Sequence, residues 1–186
     1  PGVFLDLDMM RKAVGAYWPV LAKIMVQRYN AKLLTIWPVP PQVLDAARRC
    51  ILDTLGIAFA STRFEFAQRS AAGIGALAGR GEHVLVGMRE RWPLRDAALL
   101  NGILIHGLDY DDTHPASVVH ATASALPVVL AAGWQARASG ARALGAYLLA
   151  VEADARIGQH AGGWWQKVGF HPTGVVGVFG AALAAG

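Results

Sequence analysis

PQVLDAARRCILDTLGIA, residues 41–58, repeats apolar side chains at the spacing of an α-helix. These apolar positions are Leu44, Ala47, Ile51, Leu55 and Ala58. Two prolines precede the repeat, and proline suits the first turn of a helix, where backbone N–H groups have no intrahelical partners. The pattern therefore predicts a helix that begins at Pro41, with Cys50 on its apolar face and in the core.

Helical patterns continue towards the C-terminus and predict an all-α fold, a helical bundle or array. The predicted helices are 64–77, a segment from Pro93 to the aspartates near residue 109, 124–137, 141–157 and a segment from Pro172. The alternating run 83–86 predicts a strand or an extended link. Gly140 is predicted to stop a helix.

Two side-chain placements follow from these helices. If the segment from Pro93 stays helical to Asp109, then His106 and Asp109 share one face. Glycines recur every third residue in the last segment, and such a strip allows a neighbouring backbone to approach closely. These glycines are Gly174, Gly177 and Gly180.

The composition limits the function. Hydrophobic residues make up 54% and charged residues 16%, and soluble domains typically have roughly 25% charged residues. A chain this apolar is expected to form a homodimer or to be part of a larger protein. Its single cysteine excludes an internal disulfide and a self-contained iron–sulfur cluster, and it indicates a reducing, cytoplasmic compartment.

Charge patterning excludes two kinds of partner. The net charge of +4 comes from scattered residues, not from a basic run interleaved with aromatics, so no nucleic acid is expected and a small acidic molecule fits better. Residues 116–136 lack charged side chains apart from a protonated His120, but Pro127 and several polar residues favour a buried helix over a membrane span. We therefore predict no membrane association.

NGILIHGLDYDDTH, residues 101–114, ends an apolar run with three carboxylates and two imidazoles. They are Asp109, Asp111, Asp112, His106 and His114. Carboxylates this close cannot all be buried and ionised, so they need protons or cations, and these imidazoles and His120 are the available partners. One interpretation is an acid/base set. The other is a solvated, capped helix end, favoured for Asp111, Asp112 and His114.

A further histidine, His171, precedes Pro172 and is therefore expected in an extended conformation at the start of the last helix. A helix N-terminus favours anions and disfavours an imidazolium, which predicts a neutral histidine beside a carboxylate-binding pocket. A histidine that only caps the helix remains an alternative. No His-x-x-x-His or other tight ligand spacing occurs in the sequence, so we predict no metal.

Five short segments resemble, in order, the MmgE/PrpD family: LDTLG (52–56), NG (101–102), HGLDYDDTH (106–114), VH (119–120) and GFHPTG (169–174). The resemblance makes 41–186 the N-terminal part of the family's helical domain, without the separate lid domain, and leaves 1–40 as a divergent segment of unknown role. The sequence departs from the family at Ala121, where proline is usual. The family includes 2-methylcitrate dehydratase, cis-aconitate decarboxylase and an iminodisuccinate epimerase, which use no metal or cluster.

The resemblance implies that Asp109, His120 and His171 are the catalytic residues. We assign substrate binding to His106, Asp112, His114 and Thr173. The predicted activity is a cofactor-independent lyase, first of all a dehydratase of a small tricarboxylate such as 2-methylcitrate. Decarboxylation and epimerisation remain open, because they need similar acid/base groups.

Two other classes of protein remain as alternatives. One is a non-catalytic helical fragment that oligomerises or needs a lid-bearing partner. The other is a metal-dependent hydrolase of the histidine-aspartate kind, but the adjacent His-Asp dipeptide that is typical of that class does not occur in the sequence.

Overall fold

The computed structural model describes residues 39–186, and residues 42–186 form one compact unit. Helices make up most of this part, so the predicted all-α fold is confirmed. The helices are α1 (Pro41–Ser61), α2 (Glu65–Gly75), α3 (Leu94–His106), α4 (Ala121–Gln135), α5 (Gly140–His160), α6 (Trp164–Lys167) and α7 (Pro172–Ala185). The prediction for residues 1–40 lies outside the described residues, apart from the last two.

The predicted first helix is confirmed as α1, which begins at Pro41. Ala47 and Ala58 on its apolar face are buried, and Ile51 and Leu55 pack half-buried against the core. Cys50 is also half-buried against the core, as its position predicted, and burial raises the pKa of its thiol. A thiol that stays protonated is a weak nucleophile, so Cys50 is structural.

The core lies where α3, α4 and α5 meet, and α7 packs against α4 and α5. Leu100 and Leu104 of α3, Leu126 of α4 and Tyr147 of α5 are almost completely buried there. Each such side chain contributes roughly 1.5–3 kcal/mol by leaving water. The packing fixes the C-terminal end of α3 relative to the N-terminal ends of α4 and α7, which is where the candidate site forms.

A short sheet follows α2. The run 83–86, predicted as a strand or an extended link, contains strand β1 (His83–Val84). This strand pairs antiparallel with β2 (Arg91–Trp92), which the sequence analysis did not predict. Asn101 of α3 holds this segment, because its amide nitrogen donates to the Val84 carbonyl and its amide oxygen accepts from the Val86 N–H, both at 2.9 Å. Asn101 of the NG motif therefore stabilises the fold.

Gly140 does not stop a helix; that prediction was wrong. The preceding helix ends at Gln135, and Arg137 takes a left-handed conformation with φ of 49° in the turn that follows. Ser139 then caps the next helix, because its Oγ accepts from the Arg142 N–H at 3.2 Å, and Gly140 is the first residue of α5. A serine oxygen that satisfies a free N–H group is the stronger signal for a helix start.

The uncharged segment that was weighed as a membrane span forms α4, with Pro127 buried inside it. Among the described residues, no helix is long and apolar enough to cross a bilayer. The segment's low charge is explained by its position between α3, α5 and α7.

The glycine strip of α7 packs closely against α4 and α5, as predicted, and the nearest atoms of these helices at Gly177 and Gly180 belong to side chains. A Cβ at Gly177 would lie 2.7 Å from the Ser124 Cβ, and one at Gly180 would lie 2.5 Å from Asp154 Oδ1. At Gly174, no atom of the described residues lies within 4 Å of such a Cβ. The close contact allows the Gly180 N–H to donate to Asp154 Oδ1 at 2.9 Å.

Candidate active site

The loop between α3 and α4, residues 107–120, builds one side of the candidate site. Gly107 begins it, where a Cβ would lie 2.2 Å from Phe66 Cε2 and only glycine fits. Asp109 has φ of 55° and Val118 has φ of 53°, and for a β-branched residue such a conformation is strained. Backbone strain of this kind is common at functional sites, where the surrounding structure holds it in place.

Helix α3 ends at His106, so the prediction that His106 and Asp109 share one helix face was wrong. The chain turns at Gly107, and the left-handed backbone of Asp109 sends the loop in another direction. Asp109 nevertheless reaches the site, because its Oδ1 lies 3.5 Å from His120 Nε2 although the side chain is 78% exposed.

Three imidazoles from three segments meet at this loop. His106 is the last residue of α3, His120 is the N-cap of α4 and His171 is the N-cap of α7. Their ring centroids are 4.8 Å apart for His106 and His120, 5.2 Å for His106 and His171, and 6.2 Å for His120 and His171. The helix ends thus bring together residues separated by up to 65 positions in the sequence.

Asp111 holds two of these imidazoles, although its sequence context favoured a helix cap. Its Oδ1 lies 3.1 Å from His106 Nδ1 and 3.2 Å from His120 Nδ1, and its side chain is completely buried. A carboxylate only accepts, so His106 donates to Asp111 through Nδ1, and the same carboxylate lies beside Nδ1 of His120. The sequence analysis did not select Asp111 as a site residue. Its place in the site becomes visible only in the structure, where the end of α3 and the start of α4 lie beside it.

His106 and His171 share one hydrogen bond, with their Nε2 atoms 3.0 Å apart. One of the two nitrogens must donate. The hydrogen bond to Asp111 raises the pKa of His106, while burial and the charges of His106 and His120 lower that of His171. An imidazolium at His106 that donates to a neutral His171 fits both directions, and the neutral His171 agrees with the prediction from its place at a helix N-terminus.

Two of the predicted substrate-binding residues, Thr173 and His114, make hydrogen bonds that hold the helix starts and the loop. Thr173 is buried, and its Oγ1 accepts from the His120 backbone N–H at 3.0 Å, which links the starts of α4 and α7. His114 forms a hydrogen bond within the loop, from Nδ1 to Ser117 Oγ at 2.8 Å. Thr113, which the sequence analysis did not select, lies with Oγ1 3.4 Å from His120 Nδ1.

Asp112 lies beneath the loop, against Thr122 of α4. Burial raises the pKa of its carboxyl, although hydrogen bonds from Thr122 act in the opposite direction. Its Oδ1 is buried and has no hydrogen-bond partner among the described residues. Asp112 shares no hydrogen bond with the three imidazoles in this part of the chain, so it lies behind the candidate site and not within it.

The helix ends give the site a defined polarity. Both α4 and α7 begin here. At the start of α4, Asp112 accepts a hydrogen bond from the backbone N–H of Thr122. At the start of α7, the side chain of the N-cap residue His171 makes no capping hydrogen bond with the described residues, so the first N–H groups of that helix are available to an anion. The C-terminal end of α3 instead favours a positive charge on His106. The arrangement can bind a carboxylate group at the start of α7 and transfer protons through Nε2 atoms.

Side chains of the candidate site also offer ligand atoms for a metal ion. One ligand atom from each of His106, Asp109, Asp111 and His120 lies within 4.8 Å of the others. Imidazole nitrogens and carboxylate oxygens are ligands that zinc accepts in proteins.

These features describe an all-α domain with a candidate acid/base site between its helix ends. Residues 30–186 match the model of the MmgE/PrpD N-terminal domain, and the chain belongs to the MmgE/PrpD family. The resemblance inferred from the short motifs is thereby confirmed.

Curated relatives with sequence similarity are named as decarboxylases. Human cis-aconitate decarboxylase is 31% identical over 161 residues, which are 82% of this chain and 33% of the human protein. The mouse cis-aconitate decarboxylase is 30% identical over 151 residues, 77% of this chain and 30% of that protein. A cis-aconitate decarboxylase-like protein of Aspergillus oryzae is 28% identical over 94 residues, 50% of this chain and 20% of that protein. The chain thus spans a third or less of these relatives.

Proposed function

We propose that the chain carries the acid/base groups of a lyase that acts on a small tricarboxylate without a cofactor. The observation that carries this proposal is the buried Asp111, which accepts from Nδ1 of His106 and lies beside Nδ1 of His120, while His106 shares a hydrogen bond with His171. Proton transfer to and from a substrate requires an acid and a base close together, and the raised pKa of His106 and the lowered pKa of His171 supply such a pair.

Decarboxylation of cis-aconitate is the first reaction to test, since the curated relatives are named for it. When the carbon–carbon bond to the departing CO₂ breaks, its electron pair stays on the substrate and spreads towards the neighbouring double bond and carboxylate. An imidazolium then donates a proton to carbon and becomes neutral, which gives an unsaturated dicarboxylate.

Dehydration of a tricarboxylate such as 2-methylcitrate is the second candidate, and it was the first choice from the sequence. A base removes the C–H proton beside a carboxylate, the carbon–oxygen bond breaks, and an acid gives the departing hydroxyl its proton to form water. His171, whose pKa is lowered, suits the base, and His106, whose pKa is raised, suits the acid. Epimerisation by the same groups remains a further alternative.

Ultraviolet absorbance of the conjugated double bond tests both reactions directly. We expect the purified chain to change the absorbance of cis-aconitate, or to generate absorbance from 2-methylcitrate, and His171→Ala to abolish the change. His160→Ala, at an exposed position at the end of α5, is the matched control and should retain the activity.

Binding can be measured independently of turnover. We expect cis-aconitate to shift the ring Cε1–H signals of His106, His120 and His171 in the NMR spectrum, and to leave that of His160 unchanged. A folded chain that shows neither a shift nor turnover with any of these tricarboxylates would contradict the proposal. That result would favour the non-catalytic helical fragment.

We also propose that the chain forms a homodimer in a reducing compartment such as the cytoplasm. Support for the dimer comes from large apolar side chains that remain exposed on the described part, among them Leu52 at 72%, Leu77 at 86% and Trp134 at 59%. The compartment rests on the single cysteine. Light scattering after size-exclusion chromatography would contradict the dimer if it gave the monomer mass at micromolar concentration.

A further inference from the structure

Two pairs of possible metal-ligand atoms lie close together in the candidate site. The Nε2 atoms of His106 and His171 are 3.0 Å apart, and His120 Nε2 is 3.5 Å from Asp109 Oδ1. Zinc binds four ligands in a tetrahedron with Zn–N distances of about 2.0–2.1 Å, so neighbouring ligand atoms lie about 3.3 Å from each other. The two observed distances lie on either side of this value.

A second observation, independent of these distances, comes from Asp111. Metal-bound histidines almost always donate their other ring N–H to a carboxylate, a carbonyl or water, which fixes the ring and the tautomer. Asp111 accepts from Nδ1 of His106, its Oδ1 lies 3.2 Å from Nδ1 of His120, and its side chain is completely buried. This placement leaves Nε2 as the ring nitrogen of each histidine that can bind a metal ion, and the ion displaces any proton that Nε2 carries.

Asp109 can complete the coordination shell. Its side chain is 78% exposed and has room to rotate towards the imidazoles. The carboxylates of Asp109 and Asp111 together balance a charge of 2+. The set of soft-to-borderline nitrogens favours zinc and similar transition metals over magnesium, which prefers oxygen ligands in octahedral geometry.

We propose that the Nε2 atoms of His106, His120 and His171, with an Asp109 oxygen, bind one divalent transition-metal ion such as Zn²⁺, with Asp111 as the buried carboxylate that orients two of the ligands. The ion occupies the nitrogens that carry protons in the proposed lyase, so it acts as an inhibitor and not as a cofactor. The inhibitory role rests on the proposed function, while the binding site does not.

Competition with a chromophoric zinc chelator measures the binding without any turnover. We expect one Zn²⁺ per chain with a dissociation constant at or below about 1 μM, and no binding of Mg²⁺ at the same concentration. His106→Ala and His171→Ala should each weaken zinc binding at least tenfold. Asp111→Asn should weaken it about 10–100-fold, the range that removal of such an orienting partner gives. The control His160→Ala should bind as the unaltered chain does.

A measurement on the unaltered chain guards against variants that fail to fold. Zn²⁺ should shift the ring signals of His106, His120 and His171 in the NMR spectrum and leave that of His160 in place. Failure of zinc to bind, or binding that the three histidine signals do not report, would overturn the proposal. If the chain turns over a tricarboxylate, stoichiometric Zn²⁺ should stop the reaction and a chelator should restore it.

The two proposals fail separately. Zinc bound at the three histidines in a chain that shows no turnover and no tricarboxylate binding would contradict the proposed lyase alone. Turnover that micromolar zinc does not affect would contradict the metal site alone.

Discussion

Asp154 is the buried carboxyl with the largest predicted effect on stability. It lies in α5, completely buried, where Ser124 of α4 lies 3.1 Å from its Oδ2 and the Gly180 N–H of α7 donates to Oδ1 at 2.9 Å. Burial raises its pKa to about 7. Ser124 has one hydroxyl hydrogen and also lies 3.1 Å from the Ala121 carbonyl, so both contacts are satisfied together only when the carboxyl is protonated and donates to the serine.

The change Asp154→Asn replaces the carboxyl by a neutral group of the same shape. The ordinary pKa of an aspartate in an unfolded chain is about 3.9, and each pKa unit corresponds to 1.36 kcal/mol, so ionised Asp154 costs about 4 kcal/mol at pH 8. Because the folded chain holds this proton more tightly than the unfolded chain, the free energy of unfolding falls as pH rises from about 4 to about 7. About 2.5 kcal/mol of that loss develops between pH 5 and pH 8.

Urea unfolding followed by circular dichroism at pH 5, 6, 7 and 8 tests this prediction. The stability of Asp154→Asn relative to the unaltered chain should increase by about 2.5 kcal/mol over this range. The matched control is Asp45→Asn, because Asp45 is 57% exposed and its ion pair with Arg48 should contribute less than about 1 kcal/mol. A stability difference between Asp154→Asn and the unaltered chain that stays constant with pH would refute the argument.

Four further predictions follow from the packing and the imidazoles. Gly180→Ala should reduce the free energy of unfolding by about 1–3 kcal/mol, because its Cβ would lie 2.5 Å from a buried carboxyl oxygen. Gly56→Ala, where no described atom lies within 4 Å, should instead stabilise the helix by about 0.5–1 kcal/mol in the same urea experiment. Tyr147→Phe should cost about 1–2 kcal/mol, since it removes a buried hydroxyl that is 2.6 Å from its threonine partner; no loss in thermal stability would contradict this. In an NMR titration, His106 should lose its proton at higher pH than His171, and the reverse order would disprove the assigned protonation.

The helices could be predicted from the sequence because their apolar side chains recur at regular helical spacing. α1 shows the reason, since its buried positions Ala47 and Ala58 lie on the apolar face that the periodicity identified. Boundaries were less predictable. Gly140 begins a helix and does not end one, because the oxygen of the neighbouring Ser139 satisfies the free N–H of Arg142. A local hydrogen bond of this kind depends on the conformation of a few residues and leaves no periodic signal.

The candidate site was predictable only as a set of residue types. The motifs identified His120 and His171, and the structure places them at two adjacent helix starts. Asp111 was interpreted as a cap residue because its neighbours are typical of turns. Its role depends on the fact that α3 ends beside the start of α4, and this contact between distant segments cannot be inferred from local spacing.

The polarity of the helices explains why the histidines differ, and it assigns a direction to proton transfer. His106 lies at the C-terminal end of α3 and faces a buried carboxylate, and both favour the imidazolium. His171 lies at the N-terminal end of α7, which disfavours it. A proton on the shared hydrogen bond therefore rests on His106. A substrate carboxylate at the start of α7 would meet a neutral base at His171 and a charged donor at His106. Asp111→Asn tests this reasoning, because a neutral asparagine no longer favours the imidazolium, so an NMR titration should show the pKa of His106 falling towards that of His171.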